Sequence, residues 1–270
     1  MTDLVVREYG TGLDTVIAVH GGPAAAGDLA PLAGTLGQRW YVLEPYQRGH
    51  GDQPLTVSTH VEDLDRLIRQ RCTRPPILVG HSWGAMLVLA YAAANPKGPA
   101  ALVLIGCGAF SATVRSEFTA RFAARLTSTD RAELAGIAQS ITDPDRRRAA
   151  EGRVATRVYG YDLDGLGDWP PVDATAHRET WTDMLRLIEE GFYPSAFAAI
   201  ACPVLMIHGI VDPHPGGLIR DELRTYVPHL EYVELPRCGH SPWLERQARA
   251  DFYHCLTTWI AARWTAPQAG

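Results

Sequence analysis

The stretch Gly80-His81-Ser82-Trp83-Gly84 sits between two segments of opposite character. Before it, Pro75 and Pro76 lead into Ile77, Leu78 and Val79, a short apolar run that reads as a buried strand. After it, Ala85 to Ala94 is rich in Ala and Leu and contains no Gly, and Asn95-Pro96 ends it. That is the pattern of a helix with a Pro just past its end. A G-x-S-x-G pattern at a strand-to-helix junction is a tight turn that presents its serine at the carboxyl end of the strand. Glycines on either side let the backbone pass where a side chain would not fit. The following helix N-terminus favours negative charge developing nearby.

Outward from this turn, strand-like runs recur with helical segments between them. The runs are Thr15–Gly22, Trp40–Tyr46, Pro76–Ser82, Ala101–Gly108, Pro203–Gly209 and Leu230–Pro236. Most are apolar almost throughout rather than alternating, as strands covered on both faces are. Helical spacing in Asp28–Gln38 and His60–Arg71 completes a strand–helix alternation, which predicts a mostly parallel α/β sheet with flanking helices. Leu4–Gly10 is expected to be an antiparallel edge strand. From Ala109 to Ala199 the strand rhythm stops, and helical patterning is broken at Asp143-Pro144, in the Gly-rich Tyr159–Pro171 and at Tyr193-Pro194. The expected organisation is a core of residues 1–108 and 200–270, with a helical cap over 109–199. The cap is expected to lie along one sheet edge and to act as a lid over Ser82, its Gly- and Pro-rich breaks allowing it to open.

A serine hydroxyl needs a base, and the base needs an orienting acid. Asp212 stands in the loop after one late strand and His240 in the loop after the next. They lie 130 and 158 residues beyond Ser82, in the chain order Ser, Asp, His that suits this topology. All three fall at carboxyl ends of strands, where open α/β sheets bind ligands. His214, two residues from Asp212 and in the acid's own loop, is a weaker alternative base. Oxyanion donors are expected in the backbone N–H groups of Gly22, within His20-Gly21-Gly22-Pro23, and of Trp83. His20 and His81 are expected to bond to backbone around the site.

Taken together, His20–Pro23, Gly80–Gly84, Asp212–Gly217 and Cys238–Trp243 resemble the α/β-hydrolase superfamily over nearly the whole chain. The first two, with Gln47–Pro54, are similar to the proline iminopeptidase branch. Ala24 and Tyr46 depart from that branch, which usually has Gly and Asp there. The resemblance implies a Ser82–Asp212–His240 triad, Gly22 and Trp83 as oxyanion donors, and a cofactor-free, metal-free serine hydrolase. Carboxylesterase-like cleavage of a small ester, lactone or amide is the preferred reading. An iminopeptidase is the first alternative and a non-catalytic binding module the second. Dehalogenase chemistry would place Asp where Ser82 stands.

The remaining sequence narrows the classes. Of 270 residues, 46% are hydrophobic and 20% charged, which fits a globular domain. A net charge of −5 argues against a nucleic-acid partner. No run approaches the ~18 apolar residues of a membrane span. The five scattered cysteines lack C-x-x-C spacing, so neither a metal site nor a disulfide framework is expected, and a cytoplasmic protein with free thiols is. Cys238, close to His240, is expected to be a packing thiol. The partner expected is a small-molecule substrate; nothing bears on oligomeric state. Within the cap, Glu179, Asp183, Glu189 and Glu190 read as a solvated face beside an apolar stripe containing Trp181 and Met184. The Arg146–Arg148 run also reads as exposed helix. Trp181 and Phe192 are the expected determinants of acyl preference.

Overall fold

Residues 4–23, 26–166 and 172–265 are described by the computed structural model. Ala24 and residues 167–171 of the Gly-rich stretch, both noted in the sequence, lie outside them. The strands are β1 Val6–Tyr9, β2 Thr15–Val19, β3 Tyr41–Pro45, β4 Ile77–His81, β5 Ala101–Ile105, β6 Val204–Gly209 and β7 Glu231–Leu235. They form one seven-stranded sheet in the order β1-β3-β2-β4-β5-β6-β7. Only β1 runs antiparallel, against β3; every other pairing is parallel. This is the α/β-hydrolase architecture, and the edge position expected for the first strand is observed.

The continuous apolar runs follow from burial on both sheet faces. Ile17, Leu78, Leu102, Leu104 and Met206 join one apolar cluster. Their neighbours Val16, Ile77, Val79, Val103 and Ile207 join the other. Alternate residues of one strand point to opposite faces, so two-sided cover demands an apolar residue at every position. Each such side chain stabilises the fold by about 1.5–3 kcal/mol. Helices α1 (Ala30–Leu36) and α9 (Arg249–Thr265) supply residues to the second cluster. Helices α2 (Val57–Arg71), α3 (Trp83–Ala94) and α8 (Gly216–Arg224) supply the first. In α3 every residue from Trp83 to Ala92 is buried, which is why its sequence is apolar all round.

Between β5 and β6 lie α4 (Ala112–Arg125), α5 (Ser128–Ser140), α6 (Pro144–Tyr159) and α7 (Ala174–Glu189), then a 3-10 turn, Ser195–Ala199. Each of the four helices has a side-chain cap: Ser111, Thr127 with Asp130 as a capping box, Asp143 and Asp173. Asp143-Pro144, expected to be a break, starts α6 as N-cap and first helical residue, because Pro lacks only an N–H that the first turn leaves unpaired anyway. Val114 of α4 and Met184 of α7 join the first core cluster, as do Phe110 before the segment's helices and Tyr193 and Phe197 after them. Phe118 of α4 and Tyr159 of α6 place their rings against His214 and His240, in the loops after β6 and β7, and Trp181 of α7 lies against Trp83. No described helix is long and apolar enough to cross a membrane. The five cysteines are free, and Cys238 is fully buried.

Candidate active site

Ser82 has φ 54° and ψ −118°, a left-handed conformation that a side-chain-bearing residue adopts only under strain. The glycines explain how the turn closes. A Cβ on Gly80 would overlap the carbonyl of Gly84, and one on Gly84 would overlap the carbonyl of Val19. The Ser82 amide donates to Ile105 O at 2.8 Å, tying the turn to the end of β5. Its hydroxyl makes no hydrogen bond to a described residue, and the residue is half-buried.

Asp212 and His240 are brought together from the loops after β6 and β7. His240 Nδ1 donates to Asp212 Oδ2 at 2.7 Å, and both side chains are almost fully buried. The bond leaves Nε2 as the acceptor nitrogen of the neutral ring. Gly106, one residue beyond the carbonyl that holds Ser82, lies so near that a Cβ there would stand 2.8 Å from His240 Nδ1. The His81 ring, next in sequence to Ser82, is 4.7 Å from the His240 ring, and its Nε2 bonds to His240 O at 3.1 Å. Burial pushes the His240 pKa below its ordinary value, opposed by the Asp212 charge. Burial alone would raise the Asp212 pKa, but His240, His214 and His208 together hold it well below the usual carboxylate range.

His208 had no assigned role in the sequence, and His214 was read there as a weaker alternative base. His214 gives both its amide and its Nδ1 to Asp212 Oδ1, each at 2.9 Å, while His208 Nε2 lies 3.2 Å from Oδ2. The His214 ring stacks on His240 at 4.7 Å on one side and on Phe118 at 4.2 Å on the other. Asp212, His214 and His240 also present metal-ligand atoms within 4.8 Å of one another. Both Nδ1 atoms are already hydrogen-bonded to the two Asp212 oxygens, so a metal would have to displace two protons there. A cavity of about 360 Å³ opens behind His214, between Arg121 and the start of α8, but Ser82 is not in its lining.

The amides of Gly22 and Trp83 donate to no described residue, and Gly22 has φ 115°. Gln47 holds the two loops that carry them. Its side chain donates to His20 O at 2.8 Å and accepts from the Trp83 indole at 2.8 Å, and its amide donates to His20 Nε2 at 3.0 Å. His20 Nδ1 then donates to Gly21 O at 2.8 Å. The Gln47 motif was visible in the sequence; this bracing role was not.

Comparison with known proteins bears on this arrangement. The family model described as "Alpha/beta hydrolase family" matches residues 16–252, most of the chain and both halves of the site. The chain belongs to the alpha/beta hydrolase family. It is 32% identical over 251 residues to 2-(acetamidomethylene)succinate hydrolase of Mesorhizobium japonicum, covering 88% of this chain and 84% of that one. Among solved structures it superposes on VinJ with a TM-score of 0.68 at 21% identity, covering 95% and 94% of the two chains. A thermophilic esterase from Thermogutta terrifontis gives a TM-score of 0.64 at 21% identity over 96% and 93%. The last two likenesses establish fold alone.

In this hydrolase-family chain, the insertion contributes side chains around Ser82. Tyr159, at the end of α6, places its ring 4.9 Å from that of His240. Trp181 of α7 meets Trp83 edge to face at 5.7 Å. Phe192 is half-exposed and packs on Tyr193, away from these residues. Of the four cap acids, Glu189 and Glu190 are exposed as expected, but Glu179 and Asp183 are half-buried. Glu179 accepts from the Leu55 amide at 3.0 Å and Asp183 from the Val57 amide at 2.8 Å, where α2 begins. Asp173 takes the His50 amide at 2.8 Å. Glu245, fully buried, accepts from Gly239 at 2.8 Å beside His240, and from Tyr161 at 2.8 Å and Asp162 at 2.7 Å in the insertion. The His240 amide itself donates to Tyr159 O at 3.1 Å. The described start of the Gly-rich stretch is therefore bound to the histidine loop.

Proposed function

We propose that this member of the family is a serine hydrolase that cleaves an ester, lactone or amide bond of a small-molecule substrate. Ser82 Oγ attacks the carbonyl carbon as His240 Nε2 takes its proton. Asp212 holds Nδ1–H and stabilises the imidazolium. The Gly22 and Trp83 amides, which donate to no described residue, receive the oxyanion. Collapse breaks the bond to the leaving group, which takes the proton from Nε2. Water then attacks the acyl-enzyme, His240 removes its proton, and the carboxylic acid leaves as Ser82 regains its hydrogen. The observation that carries this reading is the 2.7 Å His240–Asp212 bond beside a strained Ser82.

A carboxylesterase-like or small-amidase activity fits better than an iminopeptidase. An amine site needs acids free to face a cation, whereas Glu179 and Asp183 are occupied by backbone amides. The relative acting on 2-(acetamidomethylene)succinate is consistent with a small substrate. The insertion is proposed to act as a cap that shapes the acyl pocket through Trp181 and Tyr159. A fluorophosphonate probe should label the wild-type protein and not Ser82→Ala. Equal labelling of the two would overturn the assignment of Ser82, and no labelling of a folded wild type would favour a binding module.

A further inference from the structure

Arg148 was expected on the exposed face of its helix, within a run of three arginines. Instead it turns toward the site. Its Nη2 lies 2.6 Å from His177 Nε2, across from α6 to α7. His177 in turn hydrogen-bonds the backbone of Gly22, the proposed oxyanion glycine. Burial first, and then the Arg148 charge, hold the His177 pKa down to about 4, so the ring is neutral and Nε2 accepts from the guanidinium. Arg148 also acts electrostatically on Tyr159, whose ring lies against His240. The guanidinium thus lies at the seam of α6 and α7, bonded to His177 and within electrostatic reach of Tyr159.

The charge is left largely unanswered. A guanidinium has five N–H donors. One goes to His177, a neutral acceptor. The one acid beside it, Glu151, lies 3.8 Å from Nη1, beyond hydrogen-bonding distance, and both side chains are about two-fifths exposed at most, at 43% and 35%. Arg148 makes no other hydrogen bond to a described residue. A planar fork with open donors, partly exposed where α6 meets α7, matches a carboxylate. By contrast Arg147 donates to Ile141 O at 2.8 Å within its own helix–turn.

We propose that Arg148, braced by His177, binds a carboxylate of the substrate, making this a hydrolase of anionic acyl compounds. The inference rests on the assignment of Ser82 for its kinetic part, but not for its binding part. A substrate carboxylate held there fixes the scissile carbonyl relative to Gly22, because His177 links the two. Arg148 is a specificity residue and takes no proton.

The binding part uses Ser82→Ala protein, with glutarate and the neutral glutaramide as probes in isothermal titration calorimetry. Glutarate should bind more tightly than glutaramide. Adding Arg148→Gln should weaken glutarate on the order of 10–100-fold, the range for one charge-assisted contact, and Arg148→Lys should weaken it less. Kinetically, the ratio of kcat/KM for p-nitrophenyl hydrogen glutarate to that for p-nitrophenyl pentanoate should fall by a similar factor in Arg148→Gln. No preference for glutarate in the parent protein would overturn the proposal, as would equal losses on both esters, which mark a structural role. If neither ester turns over, the Ser82 reading fails while calorimetry still decides this one. Circular dichroism confirms that each variant is folded, and the lysine variant serves if glutamine is not tolerated.

Discussion

The sheet and the insertion are held by the same forces in different proportion. Strands β2, β4, β5 and β6 are buried along their whole length, and their stability comes from apolar area removed from water. The insertion buries little of its own: Ile137, Ala150, Val154 and Val158 make a small separate cluster. It is attached to the rest by Val114, Met184, Trp181, Leu187 and Ile188, which lie in or against the first core cluster, and by carboxylates that accept backbone amides. Glu222 takes the Phe110 amide at 3.0 Å where the insertion begins, and Asp173, Glu179, Asp183 and Glu245 join the other seams. An apolar core tolerates no misplacement but reads plainly in sequence. Polar seams are local, directional and separately removable. A conserved chemistry can therefore sit on the first while substrate choice changes on the second.

The comparison breaks at once if the chemistry does not belong to the core. Ser82→Ala should lower turnover by a factor on the order of 10⁶ and leave the fold intact. Asp212→Asn should cost roughly 10⁴, with Ser82→Ala/Asp212→Asn little worse than Ser82→Ala alone, because the groups act in one step. Steady-state kinetics on a p-nitrophenyl ester measures all three, and multiplicative losses would separate Asp212 from that step.

Smaller effects sharpen the seams. Glu245→Gln removes a buried charge from three backbone donors and should cost about 3 kcal/mol or more in urea unfolding. A change below about 0.5 kcal/mol would mean that this carboxylate does not hold the insertion. Glu179→Gln with Asp183→Asn should cost about 1 kcal/mol each and shift no activity selectively toward or away from aminoacyl naphthylamides. Selective loss of that activity would restore the iminopeptidase reading.

Acid titration spreads its effect over several groups. The rate should rise as pH increases through a value below about 6.5, since His240 acts neutral and burial lowers its pKa. His20, His60, His81, His177 and His240 are all shifted downward by burial, His60 and His177 to about 4. The folded state then binds fewer protons than the unfolded chain below about 6.5, so stability falls with acid, by up to about 1.4 kcal/mol per pH unit per histidine. Asp212 is shifted in the same direction, but by its histidine partners and against burial. Its contribution is present above the usual carboxylate pKa and is lost only as pH falls through its depressed value. Thermal unfolding between pH 7 and 4.5 checks the sign; stability flat over that range would contradict the neutral buried histidines.

The strands, the Gly80–Gly84 turn and the placing of Asp212 and His240 were legible because each has a local cause. Two-sided burial requires unbroken apolar runs, and a close backbone approach requires glycine. What the sequence hid has a non-local cause. Asp183 looks like any helix-surface acid until α2 brings the Val57 amide to it. Arg148 looks like its neighbours until packing of α6 on α7 decides which way it faces. Asp143-Pro144 was legible but ambiguous, since the same pair can end one segment or begin a helix. Glu245 gave no signal, for two of its three partners, Tyr161 and Asp162, come from one distant stretch.

Glu245 also sets a rule for engineering by recombination. A cap taken from a relative and joined after Phe110 and before Tyr193 would arrive without the residue that receives its Tyr161 and Asp162 equivalents. That residue is encoded some 80 positions downstream, in the histidine loop. The inheritable module is thus discontinuous: a donor cap and positions 239–245 should travel together, and chimeras that split them should express less well than those that keep them paired.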